Sequence, residues 1–123
     1  MSKKDISQKA LQLYLKEIEK YSDLALTPEE EKELFKKIEK SDEEARKKIA
    51  WAYLKLVVKI AKYYAPQSKK LTILDLIQEG NLGLFRAVEL YDWRSDYKFS
   101  TFATLVIRSA ILRGIKSVNK IKS

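Results

Sequence analysis

Helix-compatible sequence runs almost unbroken along this chain. Only three glycines and two prolines interrupt its 123 residues. Nowhere do apolar and polar residues alternate with the period of two that marks a half-buried strand. Apolar residues return instead at three- and four-residue intervals, as at Leu11, Leu15 and Ile18, which puts them on one face of a helix. The expected fold is therefore all-α, a compact helical domain of about five helices. At this length it forms one domain over residues 1–123, large enough to bury a core.

Start and stop signals divide the chain. The first helix is expected over roughly 5–20. In "SDLALTPEEE" a break precedes a strong start: Thr27 as N-cap, Pro28 at the first helical position and Glu30 closing a capping box. That helix runs to about Lys40. Ser41 is the expected cap of a long third helix, with Asp42, Glu43 and Glu44 placed to favour the helix dipole. Pro66 ends it near Tyr64, because the residue before a proline avoids the helical region. "APQSKKL" reads as a loop, Thr72 as the cap of a fourth helix to about Leu90, and "YDWRSDYKF" as a short connector. Ser100 caps a last helix to about Val118. Three segments result: N-terminal helices over 8–64, a helix over 72–90, and a connector with its helix over 97–118.

The missing residue types narrow the chemistry. The chain has no cysteine, so neither disulfides nor thiolate metal sites, and no histidine, the commonest general base and metal ligand. Asp75 and Glu79 are one turn apart, but no further carboxylate lies at suitable spacing on that face to hold a metal. No catalytic residue, metal or cofactor is expected, and the protein is read as a non-enzyme. There is no signal peptide, and Lys59 and Lys62 interrupt the longest apolar run. A cytoplasmic protein with no membrane role is the expectation.

Charge is placed unevenly. Residues 93–123 hold seven bases (Arg94, Lys98, Arg108, Arg113, Lys116, Lys120 and Lys122) against Asp96 alone, which is +6 of the chain's net +8. Such a segment points to a polyanion, and its interleaving with Tyr97, Phe99 and Phe102 favours nucleic acid over a solvated tail. On the fourth helix, Ile73, Ile77, Gly80, Leu84 and Val88 share a stripe that reads as core. Opposite it lie Asp75, Gln78, Glu79, Leu82 and Arg86, with Phe85 at the edge. Acids mixed with an outward Leu and Phe read as a docking surface, or else Leu82 and Phe85 pack on another helix of the domain. Gly80 and Gly83 each cost about 1 kcal/mol against Ala in a helix interior, so a close-packed neighbour, helix or partner, is expected there.

The last helix also has two faces. Ala103, Ile107, Ala110, Ile111, Gly114 and Val118 are small or apolar and suit helix packing. Phe102, Leu105, Val106, Ser109, Leu112, Arg113 and Lys116 mix an aromatic, aliphatics and cations. Flat rings beside cations suit single-stranded nucleic acid, where bases stack and phosphates pair.

The block "DLIQEGNLGLFRAVELYDWRSDYKFSTFAT", residues 75–104, resembles the central segment of bacterial sigma factors of the primary-sigma family. Upstream, "LYLKEIEK", "LTPEEEKELFKKIEKSDEEAR" and "LKLVVKIAKYY" resemble the segments that precede it. The resemblance covers about residues 8–116, a single domain corresponding to the second domain of a sigma factor. The sigma domain that reads the upstream minus-thirty-five element, and the acidic N-terminal domain of primary sigmas, have no counterpart in it. The resemblance implies that the "DLIQEGN" helix docks on the β′ clamp coiled coil of core RNA polymerase through Asp75, Gln78, Glu79, Asn81, Leu82 and Phe85. It implies that the last helix engages promoter DNA, holding the single-stranded non-template minus-ten element. The DNA-binding set is then Arg86, Tyr97, Lys98, Phe99, Thr101, Phe102, Leu105, Val106, Arg108, Ser109, Leu112, Arg113 and Lys116. Several positions depart from the family: Phe102 stands for a tyrosine, Leu105 and Val106 for tandem tryptophans, Ser109 and Leu112 for Gln and Thr, and Tyr53 for a pocket asparagine. The expected function is a sigma-like initiation factor domain. The alternative is a regulator that occupies the sigma site on polymerase without productive melting.

Overall fold

The computed structural model describes residues 2–21 and 25–121. Among them are six helices and no strand: α1 (Lys3–Ile18), α2 (Pro28–Glu39), α3 (Glu43–Ala52), α4 (Leu54–Tyr64), α5 (Ile73–Leu90) and α6 (Phe99–Ile121). Single 3-10 turns follow α1 at Glu19–Tyr21 and α4 at Ala65–Gln67, just where Pro66 stops the helix. No helix among the described residues is long and apolar enough to cross a membrane. Part of the break in "SDLALTPEEE" lies outside the described residues.

The local start signals act as expected at two helices. Thr27 Oγ1 accepts the Glu30 N–H at 3.1 Å, and Glu30 Oε1 accepts the Thr27 N–H at 3.0 Å. Thr72 does the same for α5, and its partner is Asp75, whose carboxylate accepts the Thr72 N–H at 2.9 Å. Each box satisfies two amides that a helix start would otherwise leave unpaired.

At two other places the structure differs from the sequence expectation. Ser41 does not cap a helix. It takes φ 64° in the left-handed region. Its N–H donates to the Ile38 carbonyl and the Asp42 N–H to the Lys37 carbonyl. This is the reverse turn that closes a helix C-terminus, with serine where glycine is usual. Asp42 is the cap of the next helix, accepting the Ala45 N–H at 3.1 Å. That helix then breaks at Tyr53, which adopts φ −112° and ψ 7°. The break is tied to tertiary contacts: the Tyr53 hydroxyl donates to Glu31 on α2 at 2.6 Å, and its ring meets Phe99 edge-on at 4.9 Å. The expected long third helix is therefore two, and the total is six rather than about five.

α5 and α6 form the centre of the molecule, with α4 packed across both. The core stripe of α5 is buried at Ile77, Gly80, Leu84 and Val88, and half-buried at Ile73. Leu76 and Ala87 are fully buried as well, because α4 and α6 flank α5 from two directions and widen the covered arc. The glycines are explained by this crossing. A methyl group at Gly80 would come within 2.7 Å of Val57 Cγ1, and one at Gly83 within 2.9 Å of Ala110 Cβ and 3.1 Å of the Val106 carbonyl oxygen. The close neighbour is thus a helix of this chain. On α6 the stripe Ala103, Ile107, Ala110 and Ile111 is buried, joined by Ile115. α6 begins at Phe99, so Ser100 lies inside its first turn and gives its carbonyl to the Thr104 hydroxyl.

Candidate functional site

Two surfaces flank the α5–α6 pair. The first is the outward side of α5. Leu82 is 56% exposed and Phe85 49%, and Gln78 and Arg86 are exposed beside them. Leu82 and Phe85 therefore do not pack as core on a neighbouring helix. Phe85 instead overlooks a groove of about 280 Å3 that it shares with Trp51 of α3. The other residues expected to dock are drawn into the fold. The Asp75 carboxylate is engaged at the helix cap. Glu79 lies across Gly114 of α6, where a methyl group would meet its Cγ at 3.0 Å. Asn81 turns its amide to the Tyr14 hydroxyl on α1 at 3.2 Å, and its Oδ1 is buried without a hydrogen-bond partner.

The second surface begins at the connector, residues 91–98. The Tyr91 hydroxyl donates to the Tyr97 carbonyl at 2.7 Å, which ties the connector's two ends together. Beneath it is an aromatic layer. Phe99 is 1% exposed and sits against Phe35 at 5.0 Å, Tyr53 at 4.9 Å and Tyr91 at 5.3 Å. This corrects its place among the expected DNA-contacting residues: as the first residue of α6 it points into the core, and it reaches the more open rings only through Tyr91. Those rings are Tyr97 and Phe102, 5.9 Å apart and both partly open to solvent. Lys98 and Thr101 are exposed at the same end of α6.

One turn beyond Phe102 a groove of about 590 Å3 opens between α5 and α6. Arg86, Leu105, Val106, Ser109, Leu112, Arg113 and Lys116 all line it. The structure thus gathers seven of the candidate DNA residues, from two helices, in one place. Three are cations, and no acid lines the groove. Leu105 is 56% exposed. Arg108 is the exception: it lies on the other shoulder of α6, beside Lys59 and Tyr63 of α4. Lys122 falls outside the described residues, as does the side chain of Lys120.

Sequence reasoning missed some contributors. Leu90 lines the same groove, and its place four residues after Arg86 would have put it there. Trp93 falls in the short connector, where no sequence signal assigns it a contact. In the structure its Nε1 donates to Glu39 of α2, and the Arg94 guanidinium lies 4.2 Å from its ring centre while also pairing with Glu39. Hydrogen bonds from Arg94 and Trp93 hold the Glu39 carboxyl below its ordinary range. Burial, reinforced by the bond to Glu31, pushes the Tyr53 hydroxyl up and keeps it neutral. Tyr53, Trp93, Tyr97 and Lys98 line a further pocket of about 420 Å3 under the connector, with Glu31 and Lys32 on its α2 side.

A family model described as Sigma-70 region 2 matches residues 49–121. The chain belongs to the sigma-70 region 2 family. The match starts inside α3 and takes in α4, α5, the connector and α6, so both surfaces fall within it. Among curated relatives, "RNA polymerase sigma factor SigA" of Clostridium acetobutylicum is 52% identical over 105 residues, covering 85% of this chain and 27% of the relative. A protein of the same name from a Bacillus species is 49% identical over 105 residues, with the same coverage. The chain spans about a quarter of the length of these relatives.

Proposed function

We propose that this chain serves as the part of a sigma factor that joins core RNA polymerase to the promoter. α5 docks on the β′ clamp coiled coil, and the start of α6 holds the non-template strand of the minus-ten element. The observation that carries this reading is the paired rings of Tyr97 and Phe102, which lead into an acid-free groove with Arg86, Arg113 and Lys116. The printed names of the relatives, RNA polymerase sigma factors, support the same assignment.

The mechanism is one of binding and placement, with bond chemistry left to the polymerase. A base leaving the duplex loses stacking worth a few kcal/mol. Stacking on an aromatic side chain returns roughly 1–3 kcal/mol. Phe102 offers a flat face without a hydroxyl, so it stacks and makes no hydrogen bond. The buried Phe99 and the Tyr91–Tyr97 bond set the rings before DNA arrives, so little ordering is left to do at binding. The groove cations then neutralise the flanking phosphates.

The test uses a fluorescent base analogue in the minus-ten element, with polymerase present. Phe102→Ala should weaken binding to a pre-melted template about tenfold. Unchanged binding would sink the assignment. For docking, Phe85→Ala should lower polymerase affinity in a titration while leaving the fold intact, since exposed substitutions usually stay within about 0.5 kcal/mol.

One observation favours the regulator reading: the groove lining nearest the rings is aliphatic, Leu105 and Val106. Aliphatic side chains give apolar area but no flat wedge, so an open bubble should be held much better than a duplex is opened. Leu105→Trp combined with Val106→Trp should raise duplex opening more than single-strand binding. If the unmodified chain opens duplex as readily as it binds a bubble, the regulator reading falls.

A further inference from the structure

The groove that Phe85 shares with Trp51 has two helix walls. Ala50 and Trp51 stand on the α3 side, Phe85 and Val88 on the α5 side. Ala50 and Val88 are buried, whereas Trp51 is half-buried and Phe85 is open to solvent. Tyr21 covers one face of Trp51, with ring centroids 4.7 Å apart and planes at 22°. Trp51 is one of only two tryptophans in the chain, and it lies outside the docking set expected from the sequence.

The charges around this groove answer one another. Glu43, Arg46, Lys47 and Glu89 line it, two of each sign. Arg46 donates to Glu43 at 2.6 Å on its own helix and to Glu89 at 2.5 Å across the two walls. Lys47 pairs with Glu44. The groove between α5 and α6 is the opposite case, with three cations and no acid. A surface built for phosphates offers unbalanced positive charge; this one offers apolar walls and a neutral rim. At about 280 Å3 it is at the bottom of the range for whole small-molecule ligands, and it suits one or two apolar side chains. Partly open aromatic residues around a pocket of this kind are the usual anchors of protein contacts.

We propose that the Trp51–Phe85 groove anchors core polymerase by taking an apolar side chain of the polymerase between the two rings. This rests on the reading that α5 docks on polymerase, and it extends that contact from α5 to α3. The two surfaces are continuous: Phe85 belongs to both, and Leu82, one turn earlier, is exposed as well. A partner seated on Leu82 and Phe85 has the groove at its edge.

The test titrates core polymerase into the whole chain carrying a fluorescent label, read by anisotropy. Trp51→Ala should weaken binding about tenfold, and Trp51→Phe, which keeps a ring, should restore most of it. The loss should be the same in low and high salt, because an apolar contact is not screened. Since Trp51→Ala removes a half-buried ring, a second measurement leaves the ring in place: p-benzoylphenylalanine at position 51 should photo-crosslink to polymerase, and at Lys48, which borders a groove with α2 instead, it should not. If Leu82→Ala weakens polymerase binding, Trp51→Ala does not, and position 51 crosslinks no better than 48, the groove is no anchor while α5 docking stands. If the unmodified chain does not bind polymerase, both readings fail. If Trp51→Ala changes only self-association in sedimentation, the groove joins copies of this chain and the proposal is overturned.

Discussion

The outward side of α5 and the start of α6 both present exposed apolar residues, but they are held by different means. On α5, Leu82 and Phe85 stand on a helix whose opposite side is clamped to α6 through Gly80 and Gly83. At the start of α6, Tyr97 and Phe102 rest on other rings, with Phe99 buried below. The first surface is rigid because two backbones approach closely, the second because an aromatic layer is packed beneath it. A motif residue can therefore serve the surface or its support, and each kind of support fails in its own way when it is removed.

The aromatic layer should give the largest effect. Phe99→Ala deletes a fully buried ring and should cost about 3–5 kcal/mol in denaturant unfolding, and it should also weaken single-strand binding, since Tyr91, the ring that Tyr97 and Phe102 both meet, loses its neighbour. Phe102→Ala should instead spare most of the stability and lose the binding. If the two variants proved equally stable, the division between supporting and contacting rings would be wrong.

Next comes the helix clamp, where overpacking a tight contact costs roughly 1–3 kcal/mol. Gly83→Ala should be worse than Gly80→Ala. The new methyl at 80 meets only side-chain atoms, of Val57, Ile111 and Ile107. At 83 it meets Ala110 and the backbone of Val106 and Ile107. Because Val106 lines the α5–α6 groove, Gly83→Ala should also disturb DNA binding. Equal unfolding midpoints for the two variants would mean that α6 shifts freely over α5.

These cases show what the sequence made legible. Thr27 and Thr72 were readable as caps because a capping box is decided within four residues. The glycines announced a close approach but not whether a helix or a partner made it. Tyr97, Phe99 and Phe102 look alike in sequence, and only α2, α4 and the connector closing over position 99 separate the buried ring from the open ones. The break at Tyr53 depends on Glu31 and Phe99, 22 and 46 positions away. No local signal carries such contacts. The same holds for Asp75, Glu79 and Asn81, whose motif positions say nothing of Thr72, Gly114 and Tyr14.

A smaller effect separates the exposed Leu82 from its neighbour Asn81, which turns toward α1. Leu82→Ala removes an exposed side chain, so its stability should stay within about 0.5 kcal/mol of the parent. Asn81→Ala frees the Tyr14 hydroxyl of its partner and removes a buried, unpaired oxygen at once. Opposing terms of that kind leave a change of about 1 kcal/mol or less. Polymerase titration should rank Leu82→Ala as the greater loss. The reverse ranking would move the docking surface toward α1.

The smallest expected effect concerns the tether between the connector and α2. Glu39 receives Arg94 and Trp93, and these hydrogen bonds lower its pKa in the folded state. A carboxylate with a depressed folded pKa stabilises the fold above its ordinary titration range, and that contribution is lost as pH falls through the folded value. The group is open to solvent and the pair is screened, so the effect should be slight and should shrink further in salt. Glu39→Gln should therefore melt slightly below the parent at neutral pH in low salt, and the gap should close on acidification below the carboxylate range. Trp93 offers an optical readout, since its fluorescence should respond as the Nε1 partner is protonated. A gap that persisted in acid would mean that Glu39 acts through packing of its stem against Trp93, and that the connector under Tyr97 is held by shape instead of charge.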